Sequence, residues 1–223
     1  MKATRVREKP IESFAHLLAE FQPFLRKRVT LFGAESVGKT TMTNRLDELG
    51  LAAGFPPEWA RPPYLELDVV GHEVTAEKMR AIWQGQLAQQ LAAEAIATRR
   101  GRAFVAQDTD LFSTVGYWLL KGAEFGEPDV PPALWADAAR NASDLYIVLG
   151  QDAVPFAADP LRYGGDRRES DDAFWTDLCE SAGLHWSWST RPIRRRVRSG
   201  WSLSCGGLFG DPLAYQRRGV PST

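Results

Sequence analysis

Leu31-Phe32-Gly33-Ala34-Glu35-Ser36-Val37-Gly38-Lys39-Thr40 is the stretch from which the rest of the chain is read. A glycine, four variable residues, then Gly-Lys-Thr form a phosphate-binding pattern. Its flanks suit it, because the apolar run Val29 to Phe32 predicts a buried strand and Thr41 to Leu49 a helix. Gly33 and Gly38 let the backbone bend so that the N–H groups of Ala34, Glu35, Ser36 and Val37 turn toward an anion, and the start of the helix at Thr40 and Thr41 adds its partial positive charge. Lys39 has the reach to contact the β- and γ-phosphates of a nucleoside triphosphate, and the Thr40 hydroxyl can fill one position on Mg²⁺.

A chain of 223 residues with 44% hydrophobic content can bury a real core, and one domain with short appendages is expected. The formal net charge of −1 argues against nucleic acid or a membrane surface as a partner. Two cysteines, Cys179 and Cys205, lack metal-ligand spacing and suit a reducing compartment. Met1 to Lys9 is basic without the apolar segment of a secretory signal, and no run approaches the roughly 20 apolar residues that span a bilayer. The expectation is a cytoplasmic protein with a small-molecule substrate, its oligomeric state left open.

Outward from the phosphate loop, Ile11 to Leu25 has helical apolar spacing and predicts one short helix closed near Pro23. After the loop's own helix, Leu51 to Phe55 is a weak strand candidate, and the proline-rich Pro56 to Pro63 holds Glu58, Trp59 and Arg61 in a stiff segment. In this kind of fold that segment faces the ligand crevice, although a surface ion pair around a core Trp59 is an equal alternative. Thr75 to Thr98 predicts the longest helix, capped by Thr75, stopped at Arg99-Arg100-Gly101 and burying Met79, Trp83, Leu87, Leu91 and Ala95 at steps of four. Gly85-Gln86 interrupts it, as tight packing or close approach to a ligand would require.

Ala103 to Gln107 is the next buried strand and runs into Asp108-Thr109-Asp110. An apolar strand ending in Asp is what Mg²⁺ beside a phosphate loop needs, and Asp108 takes that role, with Asp110 the better helix cap. A helix near Leu134 to Asn141, a strand at Leu145 to Leu149 and a helix at Asp171 to Ala182 follow. Strands alternating with helices predict an α/β three-layer sandwich with a mainly parallel sheet. Between them, Asp152 to Glu169 carries Arg162, Arg167 and Arg168 among glycines and aspartates and suits a lid over the γ-phosphate.

Taken together, the phosphate loop, Glu58-Trp59-Ala60-Arg61, Gly85-Gln86, Asp108-Thr109-Asp110, Asp152 with Pro155, and Leu161-Arg162 resemble the ribosylnicotinamide kinase domain of the NadR family, from about Lys27 to Gly183. The resemblance implies a P-loop NTPase fold of nucleoside-kinase type. It also implies phosphorylation of the 5′-hydroxyl of nicotinamide riboside with ATP and Mg²⁺. On that basis Lys39 and the loop amides hold ATP, and Thr40 and Asp108 hold Mg²⁺. Glu58, Trp59, Arg61, Gln86 and Asp110 face the nucleoside, Trp59 stacking on its pyridinium ring. Arg162, Arg167 and Arg168 stabilise the transferring group, and either Glu58 or Asp108 takes or aligns the hydroxyl proton. Two departures stand out: Pro62-Pro63 follow Arg61 where an acidic or aromatic residue is usual, and Phe156 stands where Trp is common. The chain has no His-x-Gly-His element of the nucleotidyltransferase kind.

The domain reading is an N-terminal helical extension over 1–26, a kinase domain over 27–184 and an Arg/Trp-rich tail over 185–223. From Ser181 to Gly210 there is no acidic residue, while five arginines crowd between Arg191 and Arg198. That pattern suits either a poorly ordered tail or a contact with nucleic acid or an acidic surface, the near-neutral net charge making nucleic acid the weakest reading. Two other functions stay open at this point: a P-loop ATPase acting as a regulatory switch, and a kinase for another nucleoside.

Overall fold

Among the described residues, four parallel strands form the centre of the fold. The structure, a computed structural model, describes residues 3–50, 74–156, 168 and 170–189. In chain order these form helices α1 (Ala3–Glu8), α2 (Pro10–Phe14) and α3 (Gln22–Leu25), strand β1 (Lys27–Phe32), helices α4 (Lys39–Glu48) and α5 (Ala76–Arg99), then strand β2 (Phe104–Asp108). Helices α6 (Leu111–Lys121) and α7 (Pro132–Arg140), strand β3 (Leu145–Leu149), a 3₁₀ turn at Gln151–Ala153, helix α8 (Asp172–Ser181) and strand β4 (Trp186–Ser189) complete the order. The strands lie in the order β2-β1-β3-β4, all parallel. This is the α/β arrangement of a P-loop NTPase.

Register decides what faces what. Thr30 pairs with Gln107 and Tyr146, Leu31 with Asp108 and Ile147, and Phe32 with Val148. Because side chains alternate along a strand, Arg28, Thr30, Phe32, Val105, Gln107, Tyr146 and Val148 share one face, and Asp108 lies on the other. The first face carries α5, α6 and α8. Ala93, Ala97 and Val105 form a buried cluster joining α5 to β2, small side chains letting the helix come close. Phe32 meets Tyr146 and Trp175 edge to face at 5.4 and 5.0 Å. Trp175 of α8 in turn needs Gly116 in α6, where a Cβ would stand 2.7 Å from its ring.

Several expectations are corrected. The N-terminal segment is not one helix: α2 ends at Phe14, and α3 begins at Gln22 with Pro23 in its first turn. Proline lacks only an N–H that the first turn would leave unbonded, so Pro23 opens a helix instead of closing one. Phe14 is buried, whereas Leu18, Phe21 and Phe24 are exposed.

The inward face of α5 also differs from the step-of-four stripe. A helix turns about 100° per residue, so steps of four drift and put Ala95 about 160° from Met79. Leu91 is accordingly 61% exposed. Of the buried residues, Met79, Gln86, Gln90, Ala93 and Ala97 instead stay within about 40° of one line, with Gly85 and Gln89 to one side of it. The caps of α5 are as expected, Thr75 accepting from the Lys78 N–H. In α8, Trp175 and Leu178 are inward while Phe174 is half-buried.

β4 (Trp186–Ser189) pairs with β3 and lies beyond the boundary drawn at residue 184. The weak strand at Leu51 to Phe55, the proline-rich segment with Glu58, Trp59 and Arg61, the arginines Arg162 and Arg167, and the segment 190–223 fall outside the described residues. No helix among the described residues is long and apolar enough to cross a membrane.

Candidate phosphate and magnesium site

The loop after β1 is built as its glycines require. Gly33 leaves the strand at φ +119°, and a Cβ there would stand 2.9 Å from the Leu149 carbonyl oxygen of β3, so strand and loop pass too closely for any side chain. Ser36 holds a left-handed φ of +58°, and Gly38 at +91° caps α4. Ala34, Glu35 and Val37 are buried, and Thr41 on α4 is exposed. Lys39, the first residue of α4, is 8% exposed and donates to the carbonyls of Gly33 at 2.8 Å and Ala34 at 2.6 Å.

Arg168 secures the next part of the same loop. Its Nε donates to the Glu35 carbonyl at 3.1 Å, and its Nη2 to those of Ser36 at 3.3 Å and Val154 at 2.6 Å. The guanidinium lies 5.8 Å over the Phe156 ring, a cation–π contact. Across a trans peptide the carbonyl and the following N–H point opposite ways. Carbonyls held by Arg168 therefore turn the N–H groups of Ser36 and Val37 away from it. The sequence placed Arg168 among the lid arginines; here it braces the loop.

Asp108 ends β2 beside Leu31, one residue before the strand gives way to the loop. It is 3% exposed, and the Thr40 hydroxyl donates directly to its Oδ2. Thr109 then takes φ +68°, left-handed for a β-branched residue, with its N–H on the Leu31 carbonyl at 3.3 Å. Gln86 of α5 is 2% exposed and donates to the Thr109 carbonyl at 3.5 Å. The two acids of Asp108-Thr109-Asp110 thereby part company.

Asp110 turns to the opposite face of the sheet. Its Oδ1 accepts from the Phe112 N–H at 2.9 Å and the Ser113 N–H at 3.4 Å, the N-cap of α6. Its Oδ2 accepts from the Tyr146 hydroxyl at 2.6 Å and from Thr30 at 3.4 Å. Burial raises its carboxyl from 3.8 to about 6 against the lowering effect of those donors, and burial with the neighbouring carboxylate also pushes the Tyr146 phenol up. Asp110 is thus committed to protein partners and supports the turn from beneath instead of facing a nucleoside. Tyr146 and the cluster of Thr30, Gln107 and Ser143 around it were missed in the sequence. The available signal was a Thr and a Gln inside the otherwise apolar runs from Val29 to Phe32 and from Phe104 to Gln107.

Residues 28–190 match the family described as AAA domain. The chain belongs to that family. The AAA-domain fold is shared with solved structures of NadR, one a crystal structure in complex with NR, with a TM-score of 0.65 at 22% identity over 90% of this chain and 53% of that one. Another, in complex with NAD and AMP-PNP, has a TM-score of 0.62 at 23% identity over 86% of this chain and 51% of that one. The chain therefore spans about half the length of these NadR structures. No curated protein matches it.

The residues present fit a magnesium-bound triphosphate. Thr40 and Asp108 offer a hydroxyl and a carboxylate already in contact, the hard oxygen donors that Mg²⁺ takes while keeping its other positions for water and phosphate. The Gly33–Gly38 turn and the start of α4 supply the N–H groups for an anion, and Lys39 lies over the same turn.

Proposed function

We propose that this chain is a kinase that transfers the γ-phosphoryl group of ATP to the 5′-hydroxyl of nicotinamide riboside. The observation that carries the reading is the Thr40–Asp108 contact, which joins α4 to the end of β2 beside Lys39 and the phosphate loop. The choice of acceptor is supported by the motif order Glu58-Trp59-Ala60-Arg61, Gln86, Asp108-Thr109-Asp110 and by the fold shared with NadR, whose structures carry NR in one case and NAD with AMP-PNP in the other.

In this reading Lys39 leaves the Gly33 and Ala34 carbonyls to reach the β- and γ-phosphates, where its charge opposes the negative charge spreading over the transferring group. Thr40 and Asp108, which contact each other directly, would hold the metal through a hydroxyl and a carboxylate oxygen. Mg²⁺ held by these two residues would supply positive charge against that of the phosphates. Glu58 or Asp108 accepts or aligns the proton of the attacking hydroxyl, and Trp59 stacks on the pyridinium ring. Arg162 and Arg167 complete the positive surroundings of the γ-phosphate. Arg168 keeps the loop in shape from its carbonyl side.

The test is incubation of the purified protein with ATP, Mg²⁺ and a panel of nucleosides including nicotinamide riboside, adenosine, uridine and cytidine. Nicotinamide mononucleotide is the expected product. Equal phosphorylation of the whole panel overturns the acceptor assignment, and ATP hydrolysis without any phosphorylated nucleoside overturns the kinase in favour of an ATPase switch.

A further inference from the structure

A strand that simply continued past Asp108 would place Asp110 on the same face, since side chains two apart share a side. The left-handed Thr109 breaks that alternation. Asp108 can then meet Thr40 on one side of the sheet, while Asp110 meets Tyr146 and Thr30 on the other. A β-branched residue adopts such a φ only where its surroundings hold it there. The Thr109 turn is held at three points: its N–H on Leu31, its carbonyl at Gln86, and the carboxylate that follows it.

The strongest of these ties is the contact between Tyr146 and Asp110. The Ser143 N–H donates to the phenolic oxygen at 3.1 Å, so the phenol's own hydrogen is left for Asp110, which it meets at 2.6 Å. Tyr146 is fully buried, and its ring is fixed by edge contacts with Phe32 and Phe112. A rigid side chain on β3 thus takes hold of the far end of the turn whose near end carries Asp108.

We propose that Tyr146 is a positioning residue for the magnesium–nucleotide site: its hydroxyl clasps Asp110, holds the Thr109 turn in its left-handed conformation and so keeps the Asp108 carboxylate facing Thr40. The inference rests on the reading that Thr40 and Asp108 hold Mg²⁺. It goes beyond that reading by assigning the geometry of the pair to a residue that touches neither metal nor nucleotide.

Two variants separate the clasp from simple capping and packing. Tyr146→Phe keeps the ring and the cap but removes the clasp. Asp110→Ser keeps an acceptor for the first N–H groups of α6 but is too short to reach Tyr146. Binding of AMP-PNP to the full chain is measured by calorimetry in EDTA and again across a Mg²⁺ titration, with far-UV circular dichroism as the check on folding.

In EDTA both variants are expected to bind within about twofold of the parent, because the phosphate loop is untouched. The Mg²⁺ concentration at half-effect should rise about tenfold or more in each, the scale on which loss of an outer partner weakens a metal site. A purely structural role would lower the melting temperature without separating the two measurements. Should Tyr146→Phe fail to fold, Asp110→Ser decides. A parent-like Mg²⁺ midpoint in a folded variant overturns the clasp, whereas a parent protein that binds no nucleotide under either condition overturns the magnesium–nucleotide reading and the clasp with it.

Discussion

Arg168 donates through Nη2 to the carbonyl of Ser36 at 3.3 Å, and Ser36 is the loop residue that holds a left-handed φ of +58° without being glycine. The same side chain ties down Glu35 and Val154. A non-glycine residue in that conformation costs about 1–3 kcal/mol. Hydrogen bonds from a charged donor contribute about 1.5–3 kcal/mol each, so three of them outweigh the strain. Arg168→Ala should therefore loosen the loop and weaken AMP-PNP binding about tenfold, or about 1.4 kcal/mol. Arg168→Lys should not restore it, because an ammonium lacks the planar fork that reaches separate carbonyls. Calorimetry checks this, and parent-like affinity in the alanine variant would rule out the brace.

Lys39 offers a test of the proposed chemistry. It is buried against the loop, and Lys39→Met keeps most of its volume while removing the charge. Loss of one group that stabilises developing charge typically lowers turnover about a hundredfold to a thousandfold. Nicotinamide mononucleotide formation by the methionine variant, followed by chromatography, should fall by that amount while its circular dichroism stays unchanged. Turnover within a few fold of the parent would mean that the phosphate loop does not act on the transferred group.

The phosphate loop could be read from the sequence because its demands are local. Gly33, Gly38, Lys39 and Thr40 lie within eight residues, and backbone geometry supplies the reason for the two glycines. The place of Asp108 at the end of β2 was legible for a related reason, since it is the polar end of an apolar strand. The Tyr146–Asp110 contact was not, because it joins positions 36 apart whose meeting depends on strand order and register. The face of α5 was misjudged because glutamines at 86 and 90 are buried while Leu91 is not, so hydrophobicity pointed away from the true inward line. Likewise, the short helices before β1 follow Pro10 and Pro23, which start helical turns, more closely than they follow the apolar spacing.

Gly116 tests how tightly the helices beside the site are packed. A Cβ there would lie 2.7 Å from the Trp175 ring and 3.2 Å from Leu178, and Trp175 itself packs on Phe32, the last residue before the phosphate loop. Overpacking of this kind costs about 1–3 kcal/mol. For a chain of this size that corresponds to a fall in melting temperature of roughly 2–12 °C, measured by differential scanning calorimetry on Gly116→Ala. An unchanged melting temperature would show that α8 shifts freely and that Trp175 does not fix the end of β1.

The buried carboxyl of Asp110 gives stability a defined dependence on pH. Burial is the largest cause and raises its pKa from 3.8 to about 6, the Tyr146 and backbone donors opposing it. The folded protein therefore holds this proton more tightly than the unfolded chain. Its stabilising contribution is fully present below pH 3.8 and is lost as pH rises through 6. At about 1.4 kcal/mol per pKa unit the full swing is about 3 kcal/mol. Asp110→Asn keeps the shape and an acceptor for the α6 cap but cannot titrate. In EDTA, urea unfolding of parent and variant should show the variant gaining on the parent by up to that amount between pH 4 and 6. The difference should be flat above pH 7, where Asp110 is charged in both states. Other carboxylates titrate alike in the two proteins and cancel from the difference. A parent–variant difference that does not change across this window would mean that the Asp110 carboxyl is not held protonated by its burial beneath α6.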